Sequence, residues 1–161
     1  MELFHGSLEI VMMPEIRQSN RTLDYGNGFY TTTSHHQAES WVKRRMKECC
    51  VNKGYVNVYD FYKAAADKLN VLVFNNATEE WVDFVMMNRT KKGFKHSYDI
   101  VYGPVANDRV YAAFALYEGG LLDKETLIKE LKTYRLVDQF LFHTVKSLSY
   151  LKFKQAKEVL I

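Results

Sequence analysis

The stretch DYGNGFYTTTSHHQAESW, residues 24–41, decides how the chain is organised. Two glycines flank an asparagine and predict a turn, and the aromatic and β-branched run GFYTTT that follows predicts a strand. Ser34 is a good N-cap, so we expect a helix from His35 onward. This turn, strand and helix place two aromatic residues, Tyr30 and Trp41, at opposite ends of one unit, where they are either core residues or the walls of a pocket.

The rest of the chain mixes strand and helix patterns. Period-two or apolar runs predict strands at ELFHGS, YVNVYDF, VLVF, YDIVYGPV and DQFLFHT, and a final edge strand within SLSYLKFKQAKEVLI. Helices are predicted in NNATEEWVDFVMMNR, capped by Asn75 or Asn76, and in DKETLIKELKTY, capped by Asp123. Alanines favour a helix in VYAAFALYEGG, FYKAAADKLN predicts a short helix or turn, and ANDR predicts a turn. About six strands and three or four helices, without repeat or linker, predict a single α+β domain over residues 1–161.

Composition excludes several classes of function. The net charge of +3 is too small to indicate a nucleic-acid-binding surface. There is no signal-peptide pattern and no apolar run long enough to span a membrane. Cys49 and Cys50 are adjacent and unsuited to a mutual disulfide, which predicts a reduced, cytoplasmic setting. The cysteine and histidine spacing predicts no metal site.

Three polar residues lie beside predicted strands, namely His5, Tyr30 and Gln139. Taken singly, His5 can be a structural histidine, Tyr30 a core tyrosine and Gln139 an ordinary strand residue. Taken together, LFHGS followed by YGNGFYTTTSHHQAESW resembles the catalytic domain of the ADP-ribosyltransferase superfamily, in its diphtheria-toxin-like and poly-ADP-ribose-polymerase branch. DQFLFHT resembles the late strand that carries the third catalytic residue, usually glutamate in the transferases and Gln139 here. As a whole the chain is similar to a small bacterial family of unknown function assigned to that superfamily.

The resemblance implies an ADP-ribosyltransferase-like fold, with two small, mostly antiparallel sheets around an NAD cleft and flanking helices. It implies that NAD is a co-substrate and that a single ADP-ribose unit passes to a macromolecular acceptor as nicotinamide leaves, which is glycosyltransferase chemistry. A toxin-like role with a neutralising protein partner is a further implication. The alternative is a catalytically inactive module that binds NAD, ADP-ribose or a protein.

The same resemblance implies a set of site residues. The catalytic ones are His5, Tyr30 and Gln139, and the cofactor-binding ones are Gly6, Ser7, Trp41 and Tyr25. Arg109 is added to the cofactor-binding set on its own chemistry, since a guanidinium can bind a diphosphate through two hydrogen bonds. A cationic nicotinamide ring suits a sandwich between Tyr30 and Trp41. Its carboxamide suits the Gly6 backbone, which no side chain blocks, and the Ser7 hydroxyl.

Three further expectations concern the sugar and the diphosphate. We expect His5 to donate to a ribose hydroxyl and Gln139 to orient the ribose. Gln139 carries no charge for an oxocarbenium-like state, so Gln139→Glu is expected to raise NAD hydrolysis. Asp138 should face the opposite side of its strand. Arg109 either meets the diphosphate or is structural, and Arg21 is a weaker diphosphate candidate.

Overall fold

The structure, a computed structural model, describes residues 1–19 and 22–161, so Arg21 lies outside the described residues. Its elements follow in chain order: β1 (Glu2–Ser7), β2 (Phe29–Thr31), α1 (His35–Glu48), β3 (Lys53–Phe61), a 3₁₀ helix (Lys63–Lys68), β4 (Val71–Val73), α2 (Glu79–Thr90), β5 (Ile100–Pro104), α3 (Asp108–Glu118), α4 (Lys124–Lys132), β6 (Asp138–Phe142), α5 (Val145–Leu148) and β7 (Leu151–Leu160). The predicted α+β class is confirmed. Each predicted strand run contains a strand of the described residues, seven in all, and α5 is the described helix that the sequence did not predict. None of the described helices combines the length and the apolar character needed to cross a membrane.

The strands form two sheets. The first has the order β1-β3-β7 and is antiparallel throughout, with β7 on an edge as predicted. The second has the order β2-β6-β5-β4, and only the β4–β5 pair is parallel. The sheets join where Phe4 and Thr32 exchange two backbone hydrogen bonds, of 2.8 and 3.0 Å. Two mostly antiparallel sheets are therefore confirmed, and this junction brings the end of β1 beside β2.

Helix starts follow local hydrogen-bonding chemistry. Ser34 accepts from the Gln37 amide at 3.2 Å and Asp123 accepts from the Thr126 amide at 2.7 Å, which confirms both predicted caps. The expected Asn75 or Asn76 cap is wrong. Thr78 caps α2 instead, since the two asparagines lie in the turn before it.

The ANDR segment starts a helix rather than forming only a turn. The Asn107 side chain caps α3 by accepting from the Val110 amide at 3.1 Å. Asp108 is the first residue of α3, where a carboxylate is favoured by the helix dipole. This places the start of α3 at the cavity described below.

Helix α1 lies against the first sheet through Ala38, Val42 and Met46. The approach is close at Gly6, where a Cβ atom would come within 2.4 Å of the Ala38 carbonyl oxygen and 2.8 Å of Val42 Cγ2. Only glycine lets the helix settle this near the strand. The exposed side of α1 that carries Trp41 is thereby held next to the end of β1.

Candidate functional site

A cavity of about 720 Å³ opens where β1, β2, β6, α1 and the start of α3 converge. Its volume falls in the range typical of small-molecule sites. Six of the eight predicted site residues line it, namely His5, Gly6, Ser7, Tyr30, Trp41 and Gln139. The two that do not are Tyr25 and Arg109.

His5 reaches the cavity from β1. Its Nδ1 lies 2.7 Å from the Tyr30 carbonyl oxygen, which can only accept, so Nδ1 carries the hydrogen. Burial, opposed by that hydrogen bond and reinforced by Arg17, lowers the pKa of His5 to about 4. The neutral ring therefore presents an unprotonated Nε2. We expected His5 to donate to a ribose hydroxyl, and the structure corrects this because the remaining nitrogen can only accept.

The Gly6 backbone is available at the same edge. The backbone N–H and C=O of Phe4 bond to Thr32 and therefore point away from β3. In an antiparallel pair the N–H and C=O groups of residues two apart on one strand point in the same direction. Gly6 therefore turns one donor and one acceptor toward the cavity. The physical reason for a glycine differs from the one expected, because a Cβ would strike α1 rather than a ligand.

Ser7 is the next residue along β1. Its Oγ accepts from the Glu9 amide at 3.1 Å, which leaves the hydroxyl hydrogen for another acceptor. Together with Gly6 it supplies the donors and acceptor that an amide group requires.

Two aromatic residues line the cavity from different elements. The Tyr30 hydroxyl donates to the Gly26 carbonyl oxygen at 2.6 Å and accepts from the Tyr25 amide at 3.2 Å, so the phenol fixes the glycine turn. Burial raises the pKa of Tyr30, and the hydroxyl stays protonated. Trp41 projects from α1 and is 44% exposed. The ring face of Tyr30 and the accessible indole of Trp41 line the same cavity, and both are suited to stacking on a planar ligand ring.

Tyr25 was expected to bind a cofactor, and the structure contradicts this. Its side chain is fully buried, donates to the Pro104 carbonyl oxygen at 2.7 Å and accepts from Trp81 Nε1 at 2.8 Å. The residue turns away from the cavity into the core under β5. Its hydroxyl also occupies the space where a Gly103 Cβ would sit, at 2.4 Å. Tyr25 supports the turn and touches no cavity surface.

Arg109 is likewise placed elsewhere. Its guanidinium lies 4.1 Å from the centre of the Tyr134 ring, on the α4 side of α3. The arginines that do line the cavity are Arg17, Arg44 and Arg45. Arg44 approaches Asp108 at 3.8 Å, which links α1 to the start of α3 across the cavity.

Gln139 is 9% exposed, and its amide is oriented by two acceptors. Nε2 donates to Asp24 Oδ2 at 3.1 Å and to the Pro104 carbonyl oxygen at 3.3 Å. Its Oε1 is therefore the atom left to accept from a ligand. Asp138, as predicted, faces the other way, where it accepts from Thr32 Oγ1 and from the Thr33 amide and hydroxyl.

Asp24 is the residue that sequence reasoning missed. It lines the cavity, is 8% exposed, and accepts from the Tyr111 hydroxyl at 2.7 Å and the Ala106 amide at 3.1 Å. Burial raises the pKa of this carboxyl group, while its hydrogen-bond donors oppose the rise. The available signal was its position immediately before the predicted turn, and nothing in the sequence pointed to its distant donors.

The fold and cavity together define an α+β protein with a ligand-sized site that combines a neutral histidine, two aromatic residues and a buried carboxylate–amide pair. Residues 1–153 match the family model described as Protein of unknown function (DUF3990), and the chain belongs to that family. Comparisons with curated proteins and with solved structures yield no match.

Proposed function

We propose that this cavity binds NAD and that the protein, with an ADP-ribosyltransferase-like fold, transfers a single ADP-ribose unit to a macromolecular acceptor and releases nicotinamide. The observation that carries the proposal is the meeting of His5, Gly6, Ser7, Tyr30, Trp41 and Gln139 at one cavity. These residues come from four elements and from both sheets, so their meeting is a property of the fold and not of one local motif.

Each part of NAD has a chemical counterpart. The cationic nicotinamide ring fits between Tyr30 and Trp41, and its carboxamide pairs with the Gly6 backbone and Ser7. A ribose hydroxyl donates to His5 Nε2, and a second donates to Gln139 Oε1. Arg17 and Arg44 supply positive charge for the diphosphate.

The reaction that fits this arrangement is cleavage of the bond between ribose and nicotinamide. Holding the carboxamide and the sugar at opposite ends orients that bond and limits rotation about it, so part of the entropic barrier is met on binding. His5 and Gln139 stay neutral throughout, because each accepts a hydrogen bond from a ribose hydroxyl and no proton is transferred. They bind and orient the ribose rather than act as proton-transfer groups.

Incubation with NAD labelled in the nicotinamide and in the adenylate would test the proposal. We expect the wild-type protein to bind NAD in calorimetry and to release nicotinamide, and an added cell extract to acquire the adenylate label. His5→Ala and Tyr30→Ala should each lose at least about tenfold in rate, because each removes a group that orients the ligand.

Arg109→Ala is the matched control, since Arg109 lies away from the cavity and should keep the wild-type rate. Tight NAD binding without release of nicotinamide would instead support a silent binding module, which the neutral Gln139 favours. A protein that neither binds NAD nor releases nicotinamide would overturn both functions.

A further inference from the structure

We propose that Asp24 supplies the negative charge that stabilises the ribose cation as nicotinamide leaves, while Gln139 only positions the sugar. This inference rests on the proposed function. It assigns electrostatic stabilisation of the ribose cation to Asp24, which lies 115 positions from Gln139 in sequence and is joined to it by one hydrogen bond.

Asp24 is a buried carboxylate with neutral partners. Its hydrogen-bond donors are a phenol, a backbone amide and a carboxamide, from Tyr111, Ala106 and Gln139. Among the described residues no lysine or arginine forms an ion pair with it. The positive charge of Arg89 lowers the pKa of Asp24 from a distance. The Arg89 guanidinium stacks on the Tyr111 ring, 3.9 Å from its centre, and does not contact the carboxylate.

Such an arrangement is costly unless a cation arrives. Burying an ionised carboxylate without a positive partner costs several kcal/mol, of which neutral donors recover only part. Because Asp24 lies at the wall of a cavity, a positively charged ligand group bound there would offset this desolvation cost and would therefore be attracted to the site. The environment of Asp24 is therefore suited to a cation in the cavity and not to an internal salt bridge.

The proposed reaction provides this cation. The bond between ribose C1′ and the nicotinamide nitrogen breaks, and its electron pair stays on that nitrogen, so the ring leaves as neutral nicotinamide. The positive charge passes to C1′ and the ring oxygen of the ribose. An acceptor oxygen or nitrogen, or water, then bonds to C1′ and releases its proton to solvent. Asp24 forms no bond and takes no proton in this sequence, since its role is electrostatic.

The Asp24–Gln139 contact also changes what Gln139→Glu should do. A glutamate at this position would put a second carboxylate about 3 Å from Asp24 Oδ2 and 3.3 Å from the Pro104 carbonyl oxygen, with no donor between them. Two carboxylates this close do not both ionise. The pair would then share one proton and carry one negative charge, as Asp24 with a neutral Gln139 does, so the single substitution should leave the rate of NAD cleavage close to that of wild type, contrary to the sequence-based expectation.

The test compares wild type, Asp24→Asn, Gln139→Glu and the double variant Asp24→Asn/Gln139→Glu, which exchanges carboxylate and amide within the pair. Nicotinamide release gives the rate, and calorimetry gives the affinities for NAD and for its reduced form, whose nicotinamide ring is uncharged. Asp24→Asn should lower the rate by about 100-fold or more and weaken the preference for the cationic form, of which the part due to Tyr30 and Trp41 remains. The double variant should recover at least about tenfold over Asp24→Asn, because one carboxylate is restored to the pair.

Asp83→Asn is the control for loss of one negative charge, since Asp83 on α2 pairs with Lys124 on α4, away from the cavity, and the variant should keep the wild-type rate. A folded Asp24→Asn protein with the wild-type rate would overturn the inference alone, as would a folded double variant no faster than Asp24→Asn. A wild-type protein that neither binds nor cleaves NAD would overturn the proposed function first. Circular dichroism of each variant separates these results from unfolding.

Discussion

At the scale of single residues, His5 couples the site to the stability of the fold. Burial lowers the pKa of its imidazole from 6.5 to about 4, so in the folded protein it stays neutral at pH values where the unfolded chain is protonated. The unfolded state therefore binds more protons between these two values. Stability from this group is fully present above pH 6.5 and is lost as the pH falls toward 4.

A pH series of urea denaturation tests this coupling. Between pH 7 and pH 4 we expect the wild-type free energy of unfolding to fall by about 2–3 kcal/mol more than that of His5→Asn. Asparagine keeps a donor for the Tyr30 carbonyl oxygen but does not titrate. Parallel pH profiles for the two proteins would show that His5 is not the residue responsible.

Gly6→Ala tests the close contact between β1 and α1. The new methyl group would meet the Ala38 carbonyl oxygen at 2.4 Å, and a backbone atom cannot move without shifting the helix. We expect a loss of about 3 kcal/mol in the free energy of unfolding, measured by urea denaturation. An unchanged midpoint would mean that α1 lies farther from the strand than described.

Residues at the site differ in how well the sequence could predict them. His5, Gly6, Ser7 and Tyr30 belong to short motifs, and all four line the cavity. Asp24 was missed and Tyr25 was misassigned because their partners lie 56 to 115 positions away, on α2, β5, α3 and β6 and in the loop before α3. Contacts of that range depend on how the sheets assemble, which no local pattern encodes.

At the scale of elements, patterns predicted most strands and helices but not every end. The segment before α2 contains three residues able to cap a helix, Asn75, Asn76 and Thr78, and local propensity ranks asparagine above threonine. Docking of Trp81 into the core fixes the start one turn before it, so Thr78 becomes the cap. Thr144 and Ser147 likewise form a capping box for the short helix α5, within a segment where the sequence predicted only a strand.

The α2 cap can be tested by a pair of alanine substitutions. Thr78→Ala should cost about 1 kcal/mol of unfolding free energy, since the Trp81 amide loses its acceptor. Asn76→Ala should change stability by less than about 0.5 kcal/mol, because that side chain is exposed and lies outside the helix. Thermal or urea denaturation distinguishes them, and the reverse order of effects would restore the sequence-based cap.

At the scale of the whole molecule, the cavity spans both sheets. His5 and Gly6 belong to the first sheet and Tyr30 and Gln139 to the second, and the two sheets meet through the Phe4–Thr32 hydrogen bonds. A ligand that contacts both sets of residues binds only when the sheets are assembled. Ligand binding should therefore stabilise the entire fold rather than one half of it.

Thermal denaturation with and without NAD tests this linkage. At 100 times the dissociation constant, NAD should add about 2.7 kcal/mol, which corresponds to a rise of roughly 5–10 °C in Tm for a chain of this size. Trp41→Ala should reduce the rise, since it removes one wall of the cavity but little of the core. A single unfolding transition that does not move with saturating NAD would contradict the proposed site.

The placement of the two tryptophans has an optical consequence. Trp81 is fully buried and hydrogen-bonded to Tyr25, whereas Trp41 stands at the cavity with 44% of its surface exposed. The buried indole should emit at short wavelength and resist quenching by acrylamide, and the exposed one should emit at longer wavelength and be quenched readily. Intrinsic fluorescence thus divides into one signal that reports the integrity of the core and another that reports occupancy of the cavity, without any added label.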